Sequence, residues 1–311
     1  MRIVFMGTPE AAVPALARCL EDGHNIVAVW TQPDKPSGRG RRLAESPVKR
    51  FALTHNLRIH QPARIKTEES KKLFASYDAD VAVVVAYGRI LPSEYLNAPR
   101  AGAINVHFSL LPHYRGAAPV NWAIINGEST TGVTTMFVEE ELDAGPILLQ
   151  LKTEIGSKET ATELMSRLSL IGAELLSETL ARLDTLTPTA QHDQDATFAP
   201  LLTRQNGEVS WSNPATAIER LIRGLQPWPN AFTEYNSRRL VIWQGDPVLV
   251  NAAGDEGAII IAHGDDLTVK CGGESALRLI EVQPEGGRRM LARDFLNGFH
   301  IRVGDKLGKP Q

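Results

Sequence analysis

"AINVHFSLLPHYRGAAP", residues 103–119, starts as an apolar, strand-like run and ends in a turn containing proline and glycine. Asn105 and His107 interrupt the run two residues apart. In an extended chain, positions i and i+2 project from the same face. The amide and the imidazole therefore stand side by side where a strand gives way to a loop. Burying two such groups without partners is costly. Either they satisfy each other and the backbone, or they face something that arrives later.

Outward from this stretch, "RIVFM" (2–6), "NIVAVWT" (25–31), "VAVVVAY" (81–87) and "GAINVHF" (102–108) are short runs rich in β-branched residues. Helical spacing fills the gaps, as in "PEAAVPALARCLEDG" (9–23) and "SPVKRFALTHN" (46–56). Continuous apolar strands alternating with helices predict an α/β fold: a Rossmann-like open, mainly parallel sheet with helices on both faces. Residues 159–185 read as one long amphipathic helix closing this first domain, 1–186. The polar, proline-containing stretch 187–204 reads as a linker. Beyond it comes one helix, "PATAIERLIRGLQ" (214–226). Short alternating strands with Gly and Asp turns follow, "RLVIWQG", "GAIIIAHGDDLTVKCGG" and "ALRLIEVQPEGG". That texture predicts a small β-barrel over 205–311.

The bulk numbers exclude several classes. The chain has 311 residues, 43% hydrophobic and 22% charged, with net charge −3, so it is no global polycation. Any nucleic acid must be held by a local patch. Cys19 and Cys271 form no CxxC pair, which suggests neither a disulfide framework nor a thiolate zinc site and predicts a reducing compartment. "MRIVFMGTPE" has no secretory pattern and no run approaches a membrane span, so a cytoplasmic location is expected.

Gly7-Thr8-Pro9 follows the first strand but lacks the later glycines of GxGxxG, so a plain strand–helix turn is the better reading. Asp143 sits in "EEELDAGPILL" (139–149), an Asp-Ala-Gly turn between two strand-like runs. An Asx-turn is the ordinary explanation of such an aspartate. With Asn105 and His107 it would also complete an acyl-transfer site, if the fold brings the three together. No activated Ser or Cys stands beside them, which favours direct attack by a substrate nucleophile. The loop "DKPSGRGRRLAESPVKR" (34–50) carries Lys35, Arg39, Arg41, Arg42, Lys49 and Arg50. A solvated charged loop and a phosphate-binding loop both fit that composition. Arg288, Arg289, Arg293, Arg302 and Lys306 form a weaker second patch.

"NVHFSLLPHYRGAAP" followed by "LDAGPILL" resembles the 10-formyltetrahydrofolate-dependent formyltransferases, whose Asn, His and Asp correspond to Asn105, His107 and Asp143. The basic loop, "FMGTPE", "AYGRILP" and "RLIRGLQPWPNAF" narrow the resemblance to the members that act on methionyl-tRNA. The family often has Phe at Ala11 and Gly at Glu141 and Asn230. The resemblance implies transfer of a formyl group from 10-formyltetrahydrofolate to the α-amino group of methionyl initiator tRNA, without a metal. It implies folate contacts at Ala86, Tyr87, Gly88, Ile90, Leu91, Ser109, Leu110, Leu111, Pro112 and Glu141. It implies tRNA contacts at Lys35, Arg39, Arg41, Arg42 and Lys49, and an OB-like, tRNA-binding second domain. A monomer is expected. Hydrolysis of the folate by the same three residues, or transfer to another amine, is the alternative.

Overall fold

The computed structural model describes residues 1–37, 42–250 and 254–308. Two compact units divide them: 1–119 with 130–154 and 165–199, and 120–129 with 155–164 and 200–311.

The first unit is built on seven strands: β1 (Arg2–Gly7), β2 (Asn25–Trp30), β3 (Ile59–His60), β4 (Val81–Val85), β5 (Ala103–His107), β6 (Thr130–Phe137) and β7 (Ile147–Glu154). Their order is β7-β6-β5-β4-β1-β2-β3. β1 pairs with β2 and β4, β2 with β3, and β4 with β5, all in parallel; β5–β6 and β6–β7 are antiparallel. This is the Rossmann-like, mainly parallel sheet that the apolar runs predict. Ile3 to Met6 are all fully buried, as a strand covered on both faces requires. On one face Val4, Met6, Ala28, Trp30 and Val84 pack with Phe74, Tyr77 and Tyr95. On the other, the helix Ala161–Ala181 approaches closely enough that a Cβ on Gly172 would come within 2.9 Å of Val106 Cγ1.

β6 and β7 are the two strand-like runs expected on either side of the Asp143 turn. Although β6 carries four threonines, Thr134 and Thr135 are fully buried. Their hydroxyls find partners on the elements packed beside the sheet: Thr134 donates to Ser109 O of the loop after β5 at 2.7 Å, and Thr135 lies 2.7 Å from Thr179 Oγ1 of the helix Ala161–Ala181.

The second unit carries β8 (Ala231–Tyr235), β9 (Arg238–Leu249), β10 (Ile259–His263), β11 (Asp266–Lys270), β12 (Ser275–Pro284) and β13 (Met290–Leu291), all antiparallel. The order β8-β9-β12-β11-β10 wraps one core, with β13 on β12. Ile242, Leu267, Leu277 and Leu279 fill that core, joined by Ala215, Ile218 and Ile222 from one stripe of the helix Ala215–Gly224 and by Phe295 from the helix Ala292–Phe299. Among the described residues β8 and β10 share no ladder, so the small barrel is open.

Candidate active site

β5 pairs Asn105 with Val84 on one side and Met136 on the other, and His107 with Thr134. The strand pleat turns both side chains to one face and Val106 to the face that meets the helix. Asn105 is half-buried and His107 nearly fully buried, at 6% exposure. The third residue arrives from the turn between β6 and β7. Asp143 adopts φ +52, the left-handed region, which aspartate tolerates better than most residues.

The three side chains converge. Asn105 Nδ2 donates to Asp143 Oδ1 at 3.4 Å, and His107 Nδ1 lies 3.7 Å from Asp143 Oδ2. The other oxygen contact of Asp143 is fixed by backbone, since Gly116 N donates to Oδ2 at 2.9 Å. His107 Nε2 lies 3.0 Å from the carbonyl of Tyr114. A carbonyl only accepts, so Nε2 carries the proton and Nδ1 is the nitrogen turned toward Asp143. At 3.7 Å that contact is too long to be a hydrogen bond. Nδ1 therefore retains the capacity to engage a substrate atom.

The loop after β5 supports this geometry. Ser109 is 1% exposed and its hydroxyl donates to His113 O at 2.6 Å, so it is committed to the loop. Leu111 N donates to Thr134 Oγ1 and Gln150 Nε2 donates to Leu111 O. Cys19 and Cys271 are buried, and burial pushes both thiols up to about 12. Neither thiol is a nucleophile at neutral pH. Three non-glycine residues with positive φ, Ala86, Tyr114 and Asp143, lie on the segments leaving β4, β5 and β6. Such clustering of costly backbone is typical of sites whose surroundings over-determine them.

The sequence reading missed what holds the turn. Gln191 donates to Asp143 O and Gly145 O, and accepts from Arg115 Nε at 3.0 Å. Arg115, 2% exposed, also reaches Asp193 Oδ1 at 2.9 Å. Tyr114 N donates to Thr197 Oγ1, and Phe198–Ala199 pairs in parallel with Arg115–Gly116. The stretch expected as a linker is thus a brace for the site through residue 199. Nothing in its composition signals this, because the partners are single polar groups brought together only by the fold.

The remaining expected contacts divide by direction. Ala86, Gly88 and Ile90 are exposed beyond the carboxyl end of β4, whereas Tyr87 and Leu91 point into the core. Leu110 and Pro112 are half-buried, Leu111 is buried and Glu141 is exposed. Gly88, at φ +79, lets Gln32 Nε2 approach the loop, where it donates to Tyr87 O and Gly88 O. Thr8 Oγ1 donates to Tyr87 O, which makes the Gly7-Thr8-Pro9 turn structural here. In the basic loop, Lys35 is exposed and Lys35–Ser37 pairs with Arg42–Ala44. Arg39 and Arg41 lie outside the described residues. Lys49 is not a free cation: its Nζ lies 2.5 Å from Asp34 Oδ2 and 3.1 Å from Glu45 Oε1. Gln61 Nε2 donates to Asp34 Oδ1 and to Gln32 O, fastening that pair to the sheet. In the second patch Arg289 pairs with Glu281, and Lys306 lies 3.5 Å from Asp255.

Residues 1–180 match the family described as formyl transferase, and residues 201–300 match the formyl transferase C-terminal domain. The methionyl-tRNA formyltransferase of Caldanaerobacter subterraneus subsp. tengcongensis is 47% identical over 307 residues, 98% of this chain and 99% of that protein. That of Solibacter usitatus is 46% identical over 311 residues, 99% of each chain. The chain belongs to the methionyl-tRNA formyltransferase family. Fold likeness extends further, at identities that speak for the fold alone. The Helicobacter canadensis N-formyltransferase in complex with folinic acid and dTDP-3-aminofucose aligns with a TM-score of 0.66 at 16% identity, covering 90% of this chain and 98% of that one. HypX from Aquifex aeolicus in complex with tetrahydrofolic acid aligns with 0.64 at 14%, covering 98% of this chain and 48% of that one. For the methionyl-tRNA formyltransferase family member in hand, no set of three or more His, Cys, Asp or Glu among the described residues is arranged to hold a metal ion. No helix among them is long and apolar enough to cross a membrane.

Proposed function

We propose that this chain transfers the formyl group of 10-formyltetrahydrofolate to the α-amino group of methionyl initiator tRNA, with Asn105, His107 and Asp143 as its catalytic residues. The observation that carries the assignment is the convergence of those three side chains with His107 Nδ1 left able to engage substrate.

The α-amino group titrates near 7.7–8 in reference peptides, and the neighbouring ester lowers it, so much of it is neutral at pH 7. The neutral amine attacks the formyl carbon directly. A new N–C bond forms, the carbonyl oxygen takes up negative charge, and the bond from carbon to N10 then breaks as N10 gains a proton. Asn105 Nδ2 has a second N–H beyond the one directed at Asp143, and this donates to the oxyanion. His107 Nδ1, unprotonated while Nε2 donates to Tyr114 O, accepts the proton from the attacking amine, directly or through a water, and passes it towards N10. The Tyr114 carbonyl fixes the ring through Nε2, and Asp143, held by Gly116 N and Asn105, stands 3.7 Å from Nδ1 and balances the imidazolium once Nδ1 takes a proton. The donor lies along the exposed Ala86, Gly88 and Ile90, with the loop Ser109–Pro112 and Glu141 beside it; Tyr87 and Leu91 shape that segment from the core side.

Lys35, Arg39, Arg41 and Arg42 contact the tRNA backbone, with Lys49 fixing the base of their loop through Asp34. The first unit is the catalytic domain and the barrel binds the tRNA. The protein works as a monomer in the cytoplasm.

The test is incubation with charged initiator tRNA and 10-formyltetrahydrofolate, following N-formylmethionine and free formate. Formylated methionine is the expected product. Formate released equally without acceptor would make the protein a hydrolase instead. Asn105→Ala should lower kcat by roughly 10²–10³, the usual loss of one oxyanion donor, with folate binding retained; an unchanged kcat removes Asn105 from the chemistry.

A further inference from the structure

The barrel carries a surface that the formyl-transfer site does not use. β8 sets Phe232 opposite Val241, and β12 sets Gln283 opposite the same Val241, giving one cross-strand row on a single face. Arg239, two residues before Val241, shares that face. Its guanidinium carbon lies 3.9 Å from the Phe232 ring centroid. Arg289 stands 4.8 Å over the ring of Trp243. Aromatic rings and arginines thus alternate across the outside of the sheet.

Beside the row opens a cavity of about 400 Å³, with Trp228, Asn230, Arg204, Arg239 and Glu285 in its wall. Trp228 is 51% exposed, a large ring held at the surface between two prolines. Arg204 is exposed and makes no hydrogen bond or ion pair through its side chain among the described residues. Among the described residues the guanidinium of Arg239 has only the Pro229 carbonyl, at 3.3 Å, as a hydrogen-bond partner and no carboxylate. Its Nε, and Oδ1 of Asn230, are buried without partners, so the wall is not closed on its own hydrogen bonds. The one carboxylate lining the cavity, Glu285, accepts from the backbone amide of Arg239 at 3.3 Å.

An exposed ring, a free arginine and a sheet face of stacked arginine–aromatic pairs suit a polyanion with flat, apolar bases. A cavity of this volume is the size of a small-ligand site, enough for a nucleotide and too small for a duplex. We propose that it holds one unpaired nucleotide of the RNA substrate, its base stacked on Trp228 and its phosphate against Arg204. This rests on the RNA-directed reading given above and adds to it a subsite on the barrel.

The full-length protein tests it, as wild type, Trp228→Ala, Trp228→Phe and Arg204→Gln. Steady-state formyl transfer to charged initiator tRNA and direct binding of the same tRNA are measured in parallel. Trp228→Ala should raise KM and Kd for tRNA by roughly 5- to 100-fold, the range that loss of one base stack gives. Trp228→Phe should recover most of the loss, because the stack needs a ring and not the indole N–H. Arg204→Gln should lower the slope of log Kd against log salt by about one. The KM for folate stays put in all three. Wild-type tRNA affinity in Trp228→Ala overturns the proposal, and so does a loss that Phe fails to rescue. If Trp228→Ala does not fold, an unchanged salt slope in Arg204→Gln overturns it instead. A wild-type protein that binds tRNA through Trp228 yet formylates nothing would refute the functional reading and leave the subsite standing.

Discussion

Gln191 donates from one amide nitrogen to Asp143 O at 2.9 Å and to Gly145 O at 2.7 Å, clamping both sides of the turn that presents the carboxylate. Its own carbonyl takes a hydrogen bond from buried Arg115. The position of Asp143 therefore depends on a residue outside the sheet and outside the chemistry.

Removing that clamp in Gln191→Ala costs two hydrogen bonds to the turn and leaves a buried guanidinium nitrogen unpaired. At about 0.5–1.5 kcal/mol for each of the two bonds, with about 1–3 kcal/mol more for the buried donor left unsatisfied, stability should fall by about 2–6 kcal/mol. Turnover should fall by roughly tenfold or more with little change in KM for either substrate, since the turn loosens behind the reacting groups. Denaturant titration and steady-state kinetics read the two effects separately. A variant with reduced stability and wild-type kcat would make Gln191 structural only.

Gly116 holds Asp143 from the other side, and only glycine fits there. Its φ is +124, and a Cβ would fall 2.6 Å from Ala199 O. Backbone forced into such a region costs about 1–3 kcal/mol, before the clash with the Phe198–Ala199 strand is counted. Gly116→Ala should therefore be less stable by at least that much. It should also lose kcat, because the amide that donates to Asp143 Oδ2 moves with the strand. Thermal melting and turnover at saturating substrates check both; a stable, fully active variant would contradict the bracing role of 115–116.

Much of this was legible in the sequence, and the division is physical. β1, β2, β4 and β5 are visible because a strand buried on both faces must be a continuous apolar run, as Val81–Val85 is. Asn105 and His107 are visible because they break such a run at a strand end. β3 is invisible at two residues, Ile59–His60. The Gln191–Arg115–Asp193 brace is invisible because no periodicity marks single polar groups joined across more than seventy residues. Lys49 reads as a phosphate contact by composition, and only the fold shows Asp34 and Glu45 against it.

That pairing separates two roles for Lys49. If Lys49 sets the base of the basic loop through Asp34, Lys49→Ala and Asp34→Asn should each raise KM for tRNA by a similar factor. The double variant should then be no worse than either, the non-additivity expected of groups acting as one unit. If instead Lys49 meets a phosphate directly, Asp34→Asn frees a cation and should leave or improve tRNA affinity. A double-mutant cycle on tRNA KM at fixed salt decides between them.

His60 predicts a limb of acid sensitivity unrelated to catalysis. Burial lowers its pKa below the ordinary histidine value, with Arg58 adding to the effect. Its ring lies 5.4 Å from that of Trp30 and its Nε2 meets the Tyr77 hydroxyl. Above about pH 6.5, the free-histidine value, His60 is neutral whether the chain is folded or not, and pH has no leverage through it. Below that, the unfolded chain binds a proton that the folded one resists, so stability declines as pH falls and levels off once the folded state is protonated too. Carboxylates held low, such as Asp34 beside Lys49, act further down the scale. The urea midpoint of the wild type should therefore drop between pH 7 and 5, and His60→Gln should drop less over the same interval. Equal slopes in the two proteins would show that the His60 proton does not distinguish folded from unfolded chain.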